Sequence, residues 1–131
     1  MLTYLSQKKQ GLKVKNYNMT TAKFIGTLFQ SRDMMHLTHL DTTSFAEHKA
    51  LNAYYDEILD LTDSFTEKYF GRNKRIEIVI PESKKMSAVE HMKTMQKTIE
   101  AERDNYPSDL QNIMDEMLAL VNKTLYLLTL V

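Results

Sequence analysis

SFAEHKALNAYYDEILDLTDSFTEKYFG, residues 44–71, decides the fold, because it reads as one long amphipathic helix with a defined start and stop. Ser44 and Glu47 stand at capping-box spacing, the serine hydroxyl meeting the N3 amide and the glutamate reaching back, so a helix begins at Ser44. Gly71 ends it. Phe45, His48, Leu51, Tyr55, Ile58, Thr62, Phe65 and Tyr69 follow the three-and-four spacing of one face, with mostly polar residues opposite. At 100° per residue His48, Asn52, Asp63 and Glu67 fall within roughly a 100° sector, yet His48 and Asp63 are about 22 Å apart along the axis. One metal ion cannot span that gap within a chain. If two copies of the helix pack antiparallel about a two-fold near residue 57, His48 and Asn52 of one come opposite Asp63 and Glu67 of the other, and two equivalent sites form.

Working outward toward the N-terminus, Thr20 or Thr21 can cap a preceding helix, of which Ile25, Phe29, Arg32, His36 and Leu40 line one face. The turn Asp41-Thr42-Thr43 is short, so the two helices form an antiparallel hairpin and His36 becomes a near neighbour of His48. Imidazole nitrogens combined with carboxylate oxygens suit Fe(II), and also Zn or Mn. His39, on the same helix as His36, is expected at the surface, as is His91 near the start of another helix.

In this constellation the chain resembles the Dps family of mini-ferritins. That family's ferroxidase motif runs histidine, eleven residues, histidine, three residues, aspartate, ten residues, aspartate, three residues, glutamate; here the same spacing holds His36, His48, Asn52, Asp63 and Glu67. The resemblance covers residues 20–70 well. It extends more weakly to Glu102-Arg103-Asp104-Asn105-Tyr106 and to Lys123-Thr124-Leu125-Tyr126-Leu127-Leu128. It implies a homo-oligomer built from two-fold dimers, in the full cage a dodecamer. Fe(II) would be held by His36, His48 and Asn52 of one subunit with Asp63 and Glu67 of its partner, and oxidised by peroxide or oxygen for iron storage. Two departures stand out. Asn52 offers a neutral carbonyl where the family has a carboxylate, which weakens the hold on Fe(II) and on the ferric product. Leu37 follows His36 where the family usually has a tryptophan, and this chain has none. The alternative expectation is a ferritin-fold structural or interaction protein that has kept the shape and lost the iron chemistry.

Composition supports an all-α domain. A chain of 131 residues with 43% apolar content, three glycines and two prolines can bury a sizeable helical core. Nine methionines read as packing filler. Tyr54 and Tyr55 read as core. The absence of cysteine excludes disulfides and thiolate metal sites. No apolar run has the length of a membrane span, and Met1 is followed by a polar stretch instead of a signal core, which leads us to expect a cytoplasmic protein with no membrane partner. No phosphate loop, zinc motif or nucleophile elbow is present.

Two further helices follow. Ser87 and Glu90 form a second capping box before Val89, Met92, Met95 and Ile99, and Ser108 and Gln111 a third before Ile113, Met114, Met117, Leu120 and Val121. Between Gly71 and Met86, Ile76, Ile78 and Ile80 alternate without a pairing partner. About fourteen extended residues reach roughly 46 Å, enough to run back along a helix of about 39 Å. Two short hairpins joined by a long crossover make a ferritin-like four-helix bundle over residues 19–131.

The net charge of zero hides an asymmetry. Residues 1–32 carry Lys8, Lys9, Lys13, Lys15, Lys23 and Arg32 and no acid. Residues 1–18 thus read as a basic N-terminal arm. Its Lys8, Lys9, Lys13 and Lys15 are candidates for sequence-independent contact with DNA phosphates.

Overall fold

A computed structural model describes residues 19–131, which form four α-helices and one 3-10 turn, with no strand among them. Helix α1 spans Thr21–Asp41, α2 Phe45–Arg72, α3 Ala88–Glu102 and α4 Ser108–Leu128; the 3-10 turn, Arg103–Asn105, links α3 to α4. The basic arm, with Lys8, Lys9, Lys13 and Lys15, lies outside the described residues.

Side-chain oxygens set three of the four starts. Thr20, Ser44 and Ser87 each accept a bond from the amide three residues on, at 3.2, 3.1 and 3.1 Å. Each satisfies a donor that the helix leaves orphaned, an interaction worth about 1 kcal/mol. Only Ser87 completes the expected box, with Glu90 accepting from the Ser87 amide. At the α2 start Glu47 accepts from the Thr42 hydroxyl, which in turn accepts from the Ser44 amide, so the reciprocal half of that box passes through Thr42. The third box does not form. Pro107 is the N-cap of α4 with no side-chain bond, and Gln111 donates to the Arg103 carbonyl of the preceding turn.

The helices close into a ring in which α1 packs on α2, α2 on α4, α4 on α3 and α3 on α1. Helix directions follow from contacts at the ends. The Met19 amide donates to the buried Glu102 carboxylate at the end of α3, and Thr21 bonds Tyr106 just beyond it, so α1 and α3 run antiparallel. Arg72, at the end of α2, meets Asp109 at the start of α4. At the same end Phe24, Phe65 and Tyr106 form an aromatic triangle with centroids 5.2–5.9 Å apart. Phe24 and Phe65 have no exposure, and truncating either to alanine would cost about 3–5 kcal/mol.

Residues 73–87 cross from the end of α2 to the start of α3 along the outside of α1. The Val79 amide donates to the Ala22 carbonyl, and Gln30 donates to the carbonyls of Pro81 and Glu82. One glycine makes this possible. A Cβ at Gly26 would stand 1.7 Å from the Val79 carbonyl oxygen and 2.4 Å from its carbon, so only a residue without a side chain admits the crossing backbone.

The core face of α2 is close to that expected, with Leu51, Tyr54, Tyr55, Ile58, Thr62 and Phe65 buried, although Phe45 is 73% exposed. The core face of α1 is rotated by one residue. Phe24, Leu28, Ser31, Met35 and His39 point inward, while Leu40 is exposed and His36 only half-buried.

Candidate metal centre

The rotation of α1 decides which histidine meets which. The ring packed on His48 is that of His39, parallel to within 18° and 3.7 Å away. His36 stacks instead on Tyr55, with centroids 4.1 Å apart, and meets His39 edge-on at 5.9 Å. His39 therefore occupies the place beside His48 that the spacing had given to His36. It is buried, against the expectation of a surface residue, because its Nδ1–H donates 2.7 Å to the His48 carbonyl. His48 answers with a 2.9 Å bond from its own Nδ1–H to the His39 carbonyl. A carbonyl can only accept, so both rings are protonated at Nδ1 and the neutral forms carry their lone pair at Nε2. That is how a metal-ligating histidine is usually oriented, by a carbonyl on its other nitrogen.

Asn52 lies one turn further along α2. Its carbonyl oxygen accepts the Tyr55 hydroxyl at 3.0 Å and its amide donates to Asp56 at 3.2 Å. A carbonyl oxygen has a second lone pair, so it can still offer a neutral ligand. Tyr55 also lies under the Arg32 guanidinium, 5.3 Å from its centroid. Arg32 holds Asp33 at 3.0 Å and leaves its Nε buried without a partner.

Asp63 and Glu67 sit on the far half of α2. Both are exposed, and neither makes a hydrogen bond or ion pair with a described residue. Among the described residues of one chain, no three histidine, aspartate or glutamate side chains gather closely enough to hold a metal ion. The structure thus brings His36, His39 and His48 together at one end of α2 with Asn52 beside them, and leaves Asp63 and Glu67 at the other. Imidazole Nε2 and an amide oxygen are donors that a divalent metal accepts, and the carboxylates that would complete such a set lie on the other half of α2.

His91 also departs from expectation. It is 4% exposed and faces the interior, where its Nε2 lies 2.6 Å from the Ser31 hydroxyl. Burial pushes the imidazole down to about 4 from 6.5. Ser31 lies 2.6 Å from the hydroxyl of Tyr54, whose phenol burial holds above its usual range. The sequence signal was Ser31 itself, a polar residue among Phe24, Leu28 and Met35 on the inward stripe of α1.

The model of a family of unknown function, DUF5856, matches residues 39–128, more than half of the chain. The chain belongs to the DUF5856 family. The matched span contains His39, His48, Asn52, Asp63, Glu67 and His91, and begins after His36. The chain is 27% identical over 112 residues to a protein of Enterobacteria phage T4 described as an uncharacterized 14.6 kDa protein in the mobD-ri intergenic region. The alignment covers 82% of this chain and 87% of that protein. No solved structure matches the chain.

Proposed function

We propose that the protein is a ferritin-like, Dps-type subunit that binds Fe(II) at two equivalent sites formed between the α2 helices of a two-fold dimer. Support comes from the connectivity of hairpin, long crossover and hairpin, which is that of ferritin-like bundles. The single observation that carries the reading is the division of ligands along α2. His48 is oriented through its Nδ1 at one end, leaving Nε2 free, while Asp63 and Glu67 stand without partners among the described residues at the other. Packed antiparallel, the two halves complement each other, imidazole and amide facing carboxylates.

In this reading His36 and His48 orient the metal and Asn52 adds a neutral oxygen. Asp63 and Glu67 of the partner bring the negative charge that stabilises Fe(III) as each Fe(II) gives up an electron to peroxide or oxygen. Zn or Mn would fit the same donors. Dimers of this kind assembling into a hollow oligomer would store the oxidised iron, and the lysine arm would hold DNA phosphates without reading sequence. The setting is cytoplasmic. No helix among the described residues is long and apolar enough to cross a membrane.

A second reading, a ferritin-fold component of a larger assembly without iron chemistry, is favoured by the Tyr55 hydroxyl, which already donates to the Asn52 carbonyl oxygen. Mixing two single variants separates the two readings. His48→Ala and Asp63→Ala should each bind no Fe(II) alone, and their heterodimer should regain about one site, since one interface half keeps all its ligands. Heterodimers that form and bind no iron would leave the second reading standing.

A further inference from the structure

Three buried polar side chains, none of them used by the metal site, meet in the middle of the bundle. Tyr54 of α2, Ser31 of α1 and His91 of α3 have 0%, 0% and 4% exposure, and the Ser31 oxygen lies 2.6 Å from each of its two neighbours. Donors and acceptors balance in one arrangement. Tyr54 donates to Ser31, Ser31 donates to the Nε2 of His91, and His91 carries its proton on Nδ1. That chain requires a neutral imidazole. A proton on Nε2 would turn the acceptor into a donor, and the buried Ser31 hydroxyl would have to turn its proton to another acceptor.

We propose that Tyr54, Ser31 and His91 form an acid-sensitive lock, which ties α3 to the first hairpin while His91 is neutral and releases it when His91 is protonated. Among the described residues no group packed around the ring would compensate an imidazolium. The titratable groups on the buried faces packed around it are His39 on α1 and Tyr54 and Tyr55 on α2; the buried face of α4 has none. On α3, Glu102 lies at the far end of the helix, and the neighbouring Glu90 accepts from the Ser87 amide. Burial alone depresses the His91 imidazole; no nearby charge contributes.

A cleft of about 880 Å³ opens between the α1–α2 turn and the start of α3, and Ser87 and Ala88, one turn before His91, form part of its wall. The lock would therefore yield first at the start of α3. As pH falls, an unfolded chain takes up the proton near 6.5 and the folded one only near 4. The stability held by the lock is therefore complete above about pH 6.5 and drains away as pH falls toward about 4.

The test compares the full chain with His91→Gln, whose amide oxygen can accept from Ser31 and does not titrate. Denaturant unfolding followed from pH 7.5 to pH 4 should show the wild-type folding constant falling more than that of the variant, by a factor on the order of a hundred. Hydrogen exchange at pH 4.5 should show the first turns of α3 opening before α2 and α4. Should His91→Gln fail to fold, the wild-type imidazole signals decide the matter by NMR titration. A His91 that stays neutral below pH 5 supports the lock. A His91 that titrates near 6.5, or equal pH slopes for the two proteins, overturns it.

Discussion

His39 and His48 are held face to face, 3.7 Å apart, each donating its Nδ1 proton to the backbone carbonyl of the other. The pair joins the last turn of α1 to the first turn of α2, and it fixes the tautomer of both rings. In the proposed metal site His39 would act as a positioning residue for His48.

Replacing His39 by leucine should reduce Fe(II) affinity roughly tenfold to a hundredfold, the usual effect of losing the partner that orients a metal-bound imidazole. The number of sites per dimer should not change. Equilibrium dialysis of Fe(II) under anaerobic conditions reads both quantities, and an unchanged affinity would show that His48 needs no such support.

Asn52→Asp tests the departure from the Dps motif that the chain resembles. Without metal the variant should be slightly less stable, since Asp56 one turn on then faces a like charge at a cost of about 0.2–0.5 kcal/mol. With Fe(II) the order should reverse, and the rate of oxidation by peroxide should rise above wild type because the added charge stabilises the ferric product. His36→Ala serves as the blank. If neither protein oxidises iron faster than that blank, the five positions carry no ferroxidase chemistry.

Gly26→Ala should loosen the crossover. The new Cβ would collide with the backbone of Val79 and Ile80, so the segment must move away and give up the bond from Val79 to Ala22. We expect a net loss of about 1–3 kcal/mol, typical of overpacking, even though alanine favours the helix itself. Thermal unfolding measures it; a more stable variant would mean that the crossover does not press on α1.

Deleting residues 1–18 should abolish binding to duplex DNA and leave the helical content intact. In the full chain that binding should be independent of sequence and fall steeply with salt, as expected when Lys8, Lys9, Lys13 and Lys15 displace counterions from phosphates. Equal retention of DNA by both forms at low salt would rule out the arm.

The sequence showed helix boundaries better than helix orientation. Thr20, Ser44 and Ser87 were legible as caps because the bond they make is local, whereas Ser108 looked equivalent and was displaced by Pro107, whose fixed φ suits the turn that precedes α4. The rotation of α1 was not legible. Apolar residues occur on two adjacent stripes of that helix, and what selects the inner one is polar: Ser31 finds Tyr54 and His91, and His39 finds the carbonyl of His48. Such partners lie on other helices, out of reach of periodicity. The long crossover could be inferred from its reach, but not the side on which it passes, which Gly26 determines by close approach.

That close approach also separates early from late events in folding. Each hairpin closes through a short turn and can form from neighbouring residues alone, while Gly26 and Val79 lie far apart in the chain, so that their contact carries a larger loop-closure cost. A contact of such long sequence separation is expected to form after the rate-limiting step. Gly26→Ala should therefore leave the refolding rate nearly unchanged and accelerate unfolding, which makes the crossover a latch on the lifetime of the native state more than a guide toward it.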